Sequence, residues 1–231
     1  MPLVFPAGLE GGGRVEEIRE AFQDAEQLYA ELQDLVTKIR MVPVGPTLRQ
    51  HIRTVRDLAR AQRKLVRLTI EGEDVEVDMT VIEHLRDPMT HMIRNALDHG
   101  IEMPTERRAR GKDPCGTVRL KARHEAGWIL IEIRDDGAGF NRDKILREAR
   151  MRGSSENLEK LADDDLFRLV FQSGFSTADS VTALSGRGVG MDIVLRNIEA
   201  LRGSVGIQSR PGEGSTITIR LPLTLAIIEG L

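Results

Sequence analysis

The sequence predicts an α/β protein: a two-layer α/β sandwich with a mixed β-sheet, preceded by a long N-terminal helix. An apolar stripe with helical spacing runs without glycine or proline from about residue 15 to residue 41. Alternating apolar and polar runs, typical of strands, are interspersed with helical segments between residues 65 and 221. The links at 125–127 and 211–214 are short enough for β-hairpins, so the sheet is mixed rather than purely parallel. A doubly wound fold, whose strands are joined by crossover helices, is therefore disfavoured.

Composition places the chain among soluble globular proteins. Of its 231 residues, 30% are charged and 40% are hydrophobic, which suits one domain of ordinary size with a small appendage. The net charge of −3 leaves no basic excess to neutralise a nucleic-acid backbone, and 3% aromatic residues provide no platform on which bases could stack. We expect no nucleic-acid partner.

Cysteine content and the lengths of the apolar runs favour a cytoplasmic location. Cys115 is the only cysteine, so neither an intramolecular disulfide nor a cysteine-rich zinc site can form. The apolar run at residues 223–228 is too short to span a bilayer, and residues 1–6 lack the basic start and apolar core of a signal peptide. We expect no direct membrane insertion.

The N-terminal part is predicted to be a flexible leader, residues 1–13, followed by a dimerisation-type helix, residues 14–42; residues 43–231 form the main domain. Apolar residues follow one another in the helix at steps of three and four: Ile18, Phe22, Ala25, Leu28, Leu32, Leu35 and Ile39. A stripe this long needs a covering surface. Two interpretations stay open: a partner helix, in a hairpin or a homodimer, and packing against the chain's own domain.

The main domain begins after a break at Pro43–Pro46. Strands are expected at 65–70, 75–77, 117–124, 128–134, 204–209 and 215–221, and helices at 47–63, 87–100, 142–152, 163–171 and 189–202. Asp87 is expected to cap its helix, with Pro88 in the first turn, where a missing N–H costs nothing. The basic run Glu106–Arg110 is interpreted as a solvated helix face.

The helix that ends at Gly100 carries four polar residues at steps of four, three and one, which places them on one face: His91, Asn95, Asp98 and His99. A carboxamide oxygen beside imidazoles suits Mg²⁺ and phosphate oxygens, because Mg²⁺ prefers oxygen ligands and takes only one or two from protein. The alternative is a polar solvent face with two incidental histidines.

Two further segments favour a nucleotide. Asp135–Phe140 follows a predicted strand, where a carboxylate can accept a hydrogen bond from an adenine amino group and glycines let the base approach the backbone. The alternative is an ordinary acidic turn. Ser185–Met191 is rich in glycine and precedes a helix, so its N–H groups could cradle phosphate, although such a run is a weak signal by itself. It is not a Walker loop.

Taken in order, these motifs, with Gly212–Ser215 before the last strand, resemble the ATP-binding domain shared by DNA gyrase, Hsp90, MutL and histidine kinases. The resemblance covers residues 65–222. Within that group, the residues of the motifs are most similar to those of CheA-type chemotaxis histidine kinases, at His91–Glu102, Phe175–Thr177 and Ser185–Asp192. Lys38–Pro43 resembles the junction that leaves the dimerisation helices of that family, and 221–228 the junction that enters its regulatory domain.

The resemblance implies a site for ATP and Mg²⁺ in residues 43–231. It implies that Asn95 holds Mg²⁺, Asp135 binds adenine, and the catalytic residues are His91, Asn95 and Lys144. The remaining nucleotide-binding residues that it implies are Asp98, His99, Gly137, Gly139, Ser176, Thr177, Ser185, Gly186, Arg187, Gly188, Gly190, Met191 and Ser215. It also implies that residues 172–187 form a lid. Glu148 departs from the family, which often places a lysine there; either Arg147 or Arg150 substitutes, or the position points away.

The implied activity is that of a histidine kinase which transfers the γ-phosphoryl group of ATP to a histidine on a separate phosphotransfer domain. Hydrolytic relatives resemble one another in carrying a water-activating Glu four residues before the Asn, and here that position is His91. His51, His84 and His124 lack the context of a phosphoacceptor. The alternatives are an ATP-hydrolysing relative and a non-catalytic dimerisation or docking module. Response regulators are implied as partners, as are a coupling protein and receptors that act through other domains.

Overall fold

The structure is a computed structural model that describes residues 11–152, 158–172, 175 and 191–223. These residues divide into two compact units, one ending at Met41 and the other beginning at Val42. Within the described ranges, no helix is both long enough and apolar enough to cross a bilayer.

The first unit is a single helix, α1 (Gly11–Arg40). It includes Gly11–Gly13, which the sequence analysis assigned to the leader; residues 1–10 lie outside the described part. The predicted long N-terminal helix is thus confirmed. Its apolar stripe is exposed, with more than half of the surface of each of these side chains open to solvent: Ile18, Phe22, Leu28, Leu32, Leu35 and Ile39.

The remaining elements belong to the second unit, apart from Met41, the first residue of the first strand. In chain order they are β1 (Met41–Pro43), α2 (Gly45–Ala61), β2 (Leu65–Glu71), β3 (Glu76–Asp78), α3 (Met79–Asn95), a π-helical turn (Ala96–Gly100), α4 (Pro104–Ala109), β4 (Cys115–Glu125), β5 (Trp128–Asp135), α5 (Arg142–Met151), 3₁₀ turns at Leu158–Lys160 and Leu169–Phe171, α6 (Asp163–Arg168), α7 (Met191–Ala200), β6 (Ser204–Arg210) and β7 (Gly214–Pro222).

The main sheet has the strand order β2-β4-β5-β7-β6. β2 runs parallel to β4, and the other pairs are antiparallel, so the predicted mixed sheet is confirmed. The β4–β5 hairpin turns at Ala126 and Gly127, both with positive φ, which suits the tight right-handed twist of a hairpin. The β5–β7 pairing sets Asp135 directly opposite Ser215.

One face of this sheet is covered by helices. Every second residue of β4 and β5 is buried, as at Leu120 and Ile131, which is the period of a strand with one covered face. α2 contacts β2, α6 and α7 contact β6, and α3 contacts both α2 and α7. The predicted two-layer sandwich is confirmed.

The start of α3 differs from the prediction. The helix begins at Met79 and is capped by Asp78, whose Oδ1 accepts a hydrogen bond from the Thr80 N–H at 2.7 Å. The prediction that Asp87 and Pro88 open the helix was wrong, because Pro88 lies inside it. Its ring is buried on the core side of α3, where packing offsets the lost backbone hydrogen bond.

In addition, β3 pairs with β1 in a separate two-stranded sheet.

The basic run in α4 also differs from the prediction. Arg107 is 1% exposed, so the interpretation of Glu106–Arg110 as a solvated face was wrong for this residue. Its guanidinium pairs with Glu102 and Asp136, and a buried charge with such partners is tolerated. A sequence pattern reports only charge, and the burial of Arg107 follows from partners outside the helix.

Candidate functional site

A cavity of about 400 Å³ opens between α3, the π-helical turn, β5, α5, α7 and β7. Among the described residues, its polar lining comes from seven side chains: His91, Asn95, His99, Asp135, Asn141, Lys144 and Ser215. All of them except Asn141 were predicted as site residues, so the structure brings together groups that span more than half of the chain.

Asp135 lies at the end of β5 and is 3% exposed. Its Oδ1 accepts a hydrogen bond from the Gly137 N–H at 2.9 Å, and its Oδ2 accepts one from the Ser215 hydroxyl. Burial raises the pKa of Asp135, while the hydrogen bonds from Ser215 and Gly137 act in the opposite direction. The carboxyl group is therefore held in one orientation at the cavity wall.

The loop after Asp135 is packed tightly against the π-helical turn. The Ala138 N–H donates to the Gly100 carbonyl at 2.8 Å. A Cβ on Gly137 would come within 2.1 Å of the Gly100 oxygen, so only glycine fits there. Gly139 has a φ of +72° and lines the cavity, whereas Gly137 does not line it and acts through this close approach.

α3 contributes His91 and Asn95 to the cavity. The Asn95 amide donates to the sulfur of Met191 at 3.0 Å, which links α3 to the first described residue of α7. Burial lowers the pKa of His91, and Arg94 adds to this effect, while the carboxylates of Asp98 and Asp192 oppose it. A neutral imidazole is therefore favoured at the cavity surface.

The π-helical turn separates His99 from Asp98. His99 lines the cavity, but Asp98 accepts a hydrogen bond from Gln62 and is not among the cavity residues. Their spacing predicts a shared face only for a helix with 3.6 residues per turn. A π-helical turn is wider than an α-helical one, which moves Asp98 out of that face.

α5 begins beside the cavity. Asn141 caps the helix, accepting a hydrogen bond from the Lys144 N–H at 2.9 Å, and both residues line the cavity. Glu148, one turn further on, pairs with the Arg152 guanidinium at 2.8 Å and is not among the cavity residues. The Glu148 side chain therefore points away from the cavity, which was the second explanation offered for its departure from the family.

Several predicted residues lie outside the described part of the chain: Ser176, Thr177, Ser185, Gly186, Arg187, Gly188 and Gly190. Most of the predicted lid, 172–187, lies outside it as well. Phe175 is described; it lines the cavity, and the Arg152 guanidinium lies 5.2 Å from its ring centroid.

An apolar wall completes the cavity, and sequence reasoning missed it. It includes Ile133, Phe140, Val170 and Ile217. The ring of Phe140 stacks on Phe167 with a centroid distance of 5.6 Å. Apolar walls with one fixed carboxylate suit a flat heteroaromatic base that carries an amino group. The only signal in the sequence was the apolar character of strand and helix ends.

The other polar groups suit phosphate. Two imidazoles, a carboxamide and the lysine ammonium group can donate to phosphate oxygens. No group of three or more His, Cys, Asp or Glu side chains that could hold a metal ion occurs among the described residues. The donor set fits Mg²⁺ shared with phosphate oxygens, since Mg²⁺ needs few protein ligands and Asn95 supplies an amide oxygen.

Residues 80–225 match the protein family described as "Histidine kinase-, DNA gyrase B-, and HSP90-like ATPase". The chain is 50% identical over 214 residues to a chemotaxis protein CheA of Rhizobium meliloti, covering 93% of this chain and 28% of the relative. It is 50% identical over 201 residues to a chemotaxis protein CheA of Salmonella typhimurium, covering 87% and 30%. The chain thus spans less than a third of the length of these relatives. Among solved structures it is similar to a mycobacterial sensor histidine kinase, MprB, with 16% identity and a TM-score of 0.49, covering 79% of this chain and 95% of that one.

Proposed function

Because the chain belongs to the histidine kinase-, DNA gyrase B- and HSP90-like ATPase family, we propose that its cavity binds ATP with Mg²⁺. The chain is then the catalytic core of a chemotaxis-type histidine kinase. It transfers the γ-phosphoryl group to a histidine on a separate phosphotransfer domain, from which a response regulator receives it. Its relatives named CheA support the chemotaxis assignment.

The observation that carries this proposal is the buried carboxyl group of Asp135 in an otherwise apolar part of the wall. Three hydrogen bonds from Gly137 and Ser215 hold both of its oxygens, which leaves one lone pair of the carboxylate for a ligand. The amino group of adenine would donate to one of them while the base contacts Ile133 and Phe140. A base without a donor at that position would lose this hydrogen bond to a buried carboxyl group, which weakens its binding.

The phosphate groups would lie near Lys144, His91 and His99. Lys144 and His99 would donate to phosphate oxygens, and Asn95 would hold Mg²⁺, which offsets negative charge on the phosphates when bound. The attacking imidazole nitrogen forms a bond to the γ-phosphorus as the bond to the bridging oxygen breaks, and ADP leaves. This chain's part is to bind, orient and neutralise charge.

A histidine outside this chain is proposed as acceptor because the histidines outside the cavity are poorly suited. His51 is 1% exposed and inaccessible. His84 and His124 are exposed, but their ring nitrogens bond the carbonyls of Thr80 and Glu76 at 2.8 and 3.0 Å. Water is disfavoured as acceptor because His91 stands four residues before Asn95, where hydrolytic relatives carry a water-activating Glu.

The remaining partners follow from the same proposal. The exposed apolar stripe of α1 supports a homodimer through this helix, since a stripe of that length needs a covering helix in water. Receptors and a coupling protein would act through other domains of a longer protein, in the cytoplasm.

The test uses γ-labelled ATP, Mg²⁺ and a separately supplied histidine phosphotransfer domain from a CheA relative. We expect label on the added domain and none on this chain. Asn95→Asp, which brings a negative charge to the phosphates, should abolish labelling while the chain stays folded. An acceptor domain whose histidine is replaced by glutamine is the control. Rapid release of free phosphate would favour a hydrolase, and absence of nucleotide binding would favour a docking module.

A further inference from the structure

A charge cluster centred on the buried side chains of Glu102 and Arg107 contacts the loop that follows Asp135. The cluster consists of Glu102, Arg107, Lys112 and Asp136, with Arg110 at its exposed edge. We propose that Arg107 and Lys112 are positioning residues that orient the Asp135 carboxylate and thereby set the selectivity of the site for adenine. This inference rests on the proposed function of the cavity as an ATP site.

Arg107 is the centre of the cluster. One Nη donates to Glu102 Oε2 at 3.0 Å and to the Asp136 carbonyl at 3.1 Å, and the other donates to the Asp136 carboxylate at 3.1 Å. Its Nε donates to the Asp113 carbonyl at 2.6 Å. The guanidinium group thus ties α4 to the loop by several bonds at once, and its planar geometry allows little displacement.

Lys112 reaches the same loop from the other side of Glu102. Its Nζ donates to Glu102 Oε1 at 3.0 Å, to the Asp136 carbonyl at 2.9 Å and to the Gly137 carbonyl at 2.7 Å. Three donors therefore meet three acceptors, which satisfies the ammonium group. Two cations, Arg107 and Lys112, converge on one carbonyl oxygen, that of Asp136.

That carbonyl has a direct connection to the base-binding carboxylate. The Asp136 C=O and the Gly137 N–H are the two ends of one planar peptide unit, so fixing the oxygen fixes the direction of the N–H. The Gly137 N–H is the group that donates to Asp135 Oδ1 at 2.9 Å. Cationic donors on the oxygen also strengthen the hydrogen bond made by the N–H, because linked hydrogen bonds polarise one another.

The carboxylate of Asp136 anchors the same peptide to the sheet. Its Oδ1 accepts a hydrogen bond from the Thr117 N–H at 2.9 Å, and the Asp136 N–H donates to the Thr117 carbonyl at 3.2 Å. The loop is thus fixed by the sheet and by the cluster. Loosening the cluster would let the peptide rotate and the Asp135 carboxylate tilt. The hydrogen bond from the adenine amino group to Asp135 would weaken more than the contacts between other side chains and the phosphates.

The test compares ATP with ITP, whose base carries a carbonyl where adenine carries its amino group. Lys112→Met keeps the length of the side chain and removes its donors; this residue is partly exposed, unlike Arg107. We expect about a tenfold weaker affinity for Mg·ATP, with the affinity for Mg·ITP changed little, so that the ATP/ITP ratio falls. At saturating ATP, the rate of phosphoryl transfer should match the wild type.

Arg110→Ala is the matched control. Arg110 also pairs with Glu102, at 3.1 Å, but no contact joins it to the carbonyls of Asp136 or Gly137. The ratio of ATP affinity to ITP affinity should be unchanged in this variant. Lys112→Arg, which keeps cationic donors, should recover most of the ratio that Lys112→Met loses. Equal losses of ATP and ITP affinity in Lys112→Met, or an unchanged ratio, would overturn the inference. A wild-type chain that binds no ATP would instead overturn the proposed function.

Discussion

Asp135 has both carboxyl oxygens bonded within the chain and only 3% of its surface exposed. Such a buried carboxyl group selects its ligand by hydrogen bonding. It favours a ligand that donates a hydrogen bond to it over one that does not. Its role therefore depends on its two acceptor oxygens rather than on its shape.

Asp135→Asn keeps the shape and removes the charge. We expect an affinity for Mg·ATP at least about tenfold weaker, because an amide offers only one acceptor oxygen and the Gly137 N–H competes for it. Isothermal titration calorimetry measures the change. Asp143→Asn, at an exposed carboxylate in the first turn of α5 that does not line the cavity, is the control. Equal affinities in the two variants would contradict the role given to Asp135.

His51 is a buried titratable group away from the cavity. It is 1% exposed, its Nε2 has no hydrogen-bond partner among the described residues, and burial lowers its pKa, with Arg86 adding to the effect. The unfolded chain therefore binds the proton at a higher pH than the folded chain. Stability is retained above the unfolded pKa of about 6.5 and is lost as the pH falls below it.

We expect the free energy of unfolding to fall between pH 7.5 and pH 5.5, by at most about 1.4 kcal/mol per pH unit for His51 alone. His91, whose pKa is also lowered, acts in the same direction. The contribution of His51 is isolated by comparing urea denaturation of His51→Gln with that of His84→Gln, at an exposed position. The first should flatten the pH dependence. Equal slopes in both variants would exclude His51 as the cause.

At the scale of elements, the π-helical turn is the feature that shapes the cavity. It follows α3 without a break, carries His99 into the cavity and leaves Asp98 facing α2. Lys64 donates to the carbonyls of Leu97 and Asp98, which no longer have α-helical partners. A cation at a helix C-terminus is favourable, so Lys64 stabilises this irregular end.

Lys64→Met should destabilise the fold by about 1–2 kcal/mol, because two carbonyls lose a charged donor. The same change should weaken ATP binding, since His99 depends on the turn. Guanidinium denaturation and nucleotide titration measure the two effects. Arg60→Met, at an exposed position in the last turn of α2, should leave both unchanged. A stable variant with normal affinity would show that the turn needs no such cap.

At the scale of the whole molecule, the two units differ in how their apolar side chains are covered. The unit from Val42 onward has its own core, whereas α1 presents an apolar stripe to solvent. An isolated amphipathic helix in water is marginal without a partner that covers its apolar face.

Leu32→Glu, on the stripe, should therefore weaken self-association of the chain, because a charge would be buried in the dimer contact. Light scattering over a range of protein concentrations measures the mass. Ala30→Glu, on the opposite face of α1, adds the same charge and should leave the mass unchanged. ATP affinity should be normal in both. A monomeric wild-type chain at all concentrations would contradict the proposed homodimer.

The sequence by itself determined the features that depend on neighbours along the chain. Periodicity of three to four residues predicted α1, and alternation with short links predicted the antiparallel strands. The position of Asp135 at a strand end, and the spacing of His91 and Asn95 in one helix, were equally local. These predictions succeeded because side-chain direction in regular structure follows from spacing alone.

The tertiary structure alone decided the features that depend on distant partners. It placed Pro88 within a helix, turned Asp98 away from the cavity, and buried Arg107 against Asp136, which lies 29 residues further along the chain. The cost of burying a charge or losing a helical hydrogen bond is offset by groups that meet only after folding. No local pattern encodes that compensation, because periodicity reports the face of an element and not what covers it.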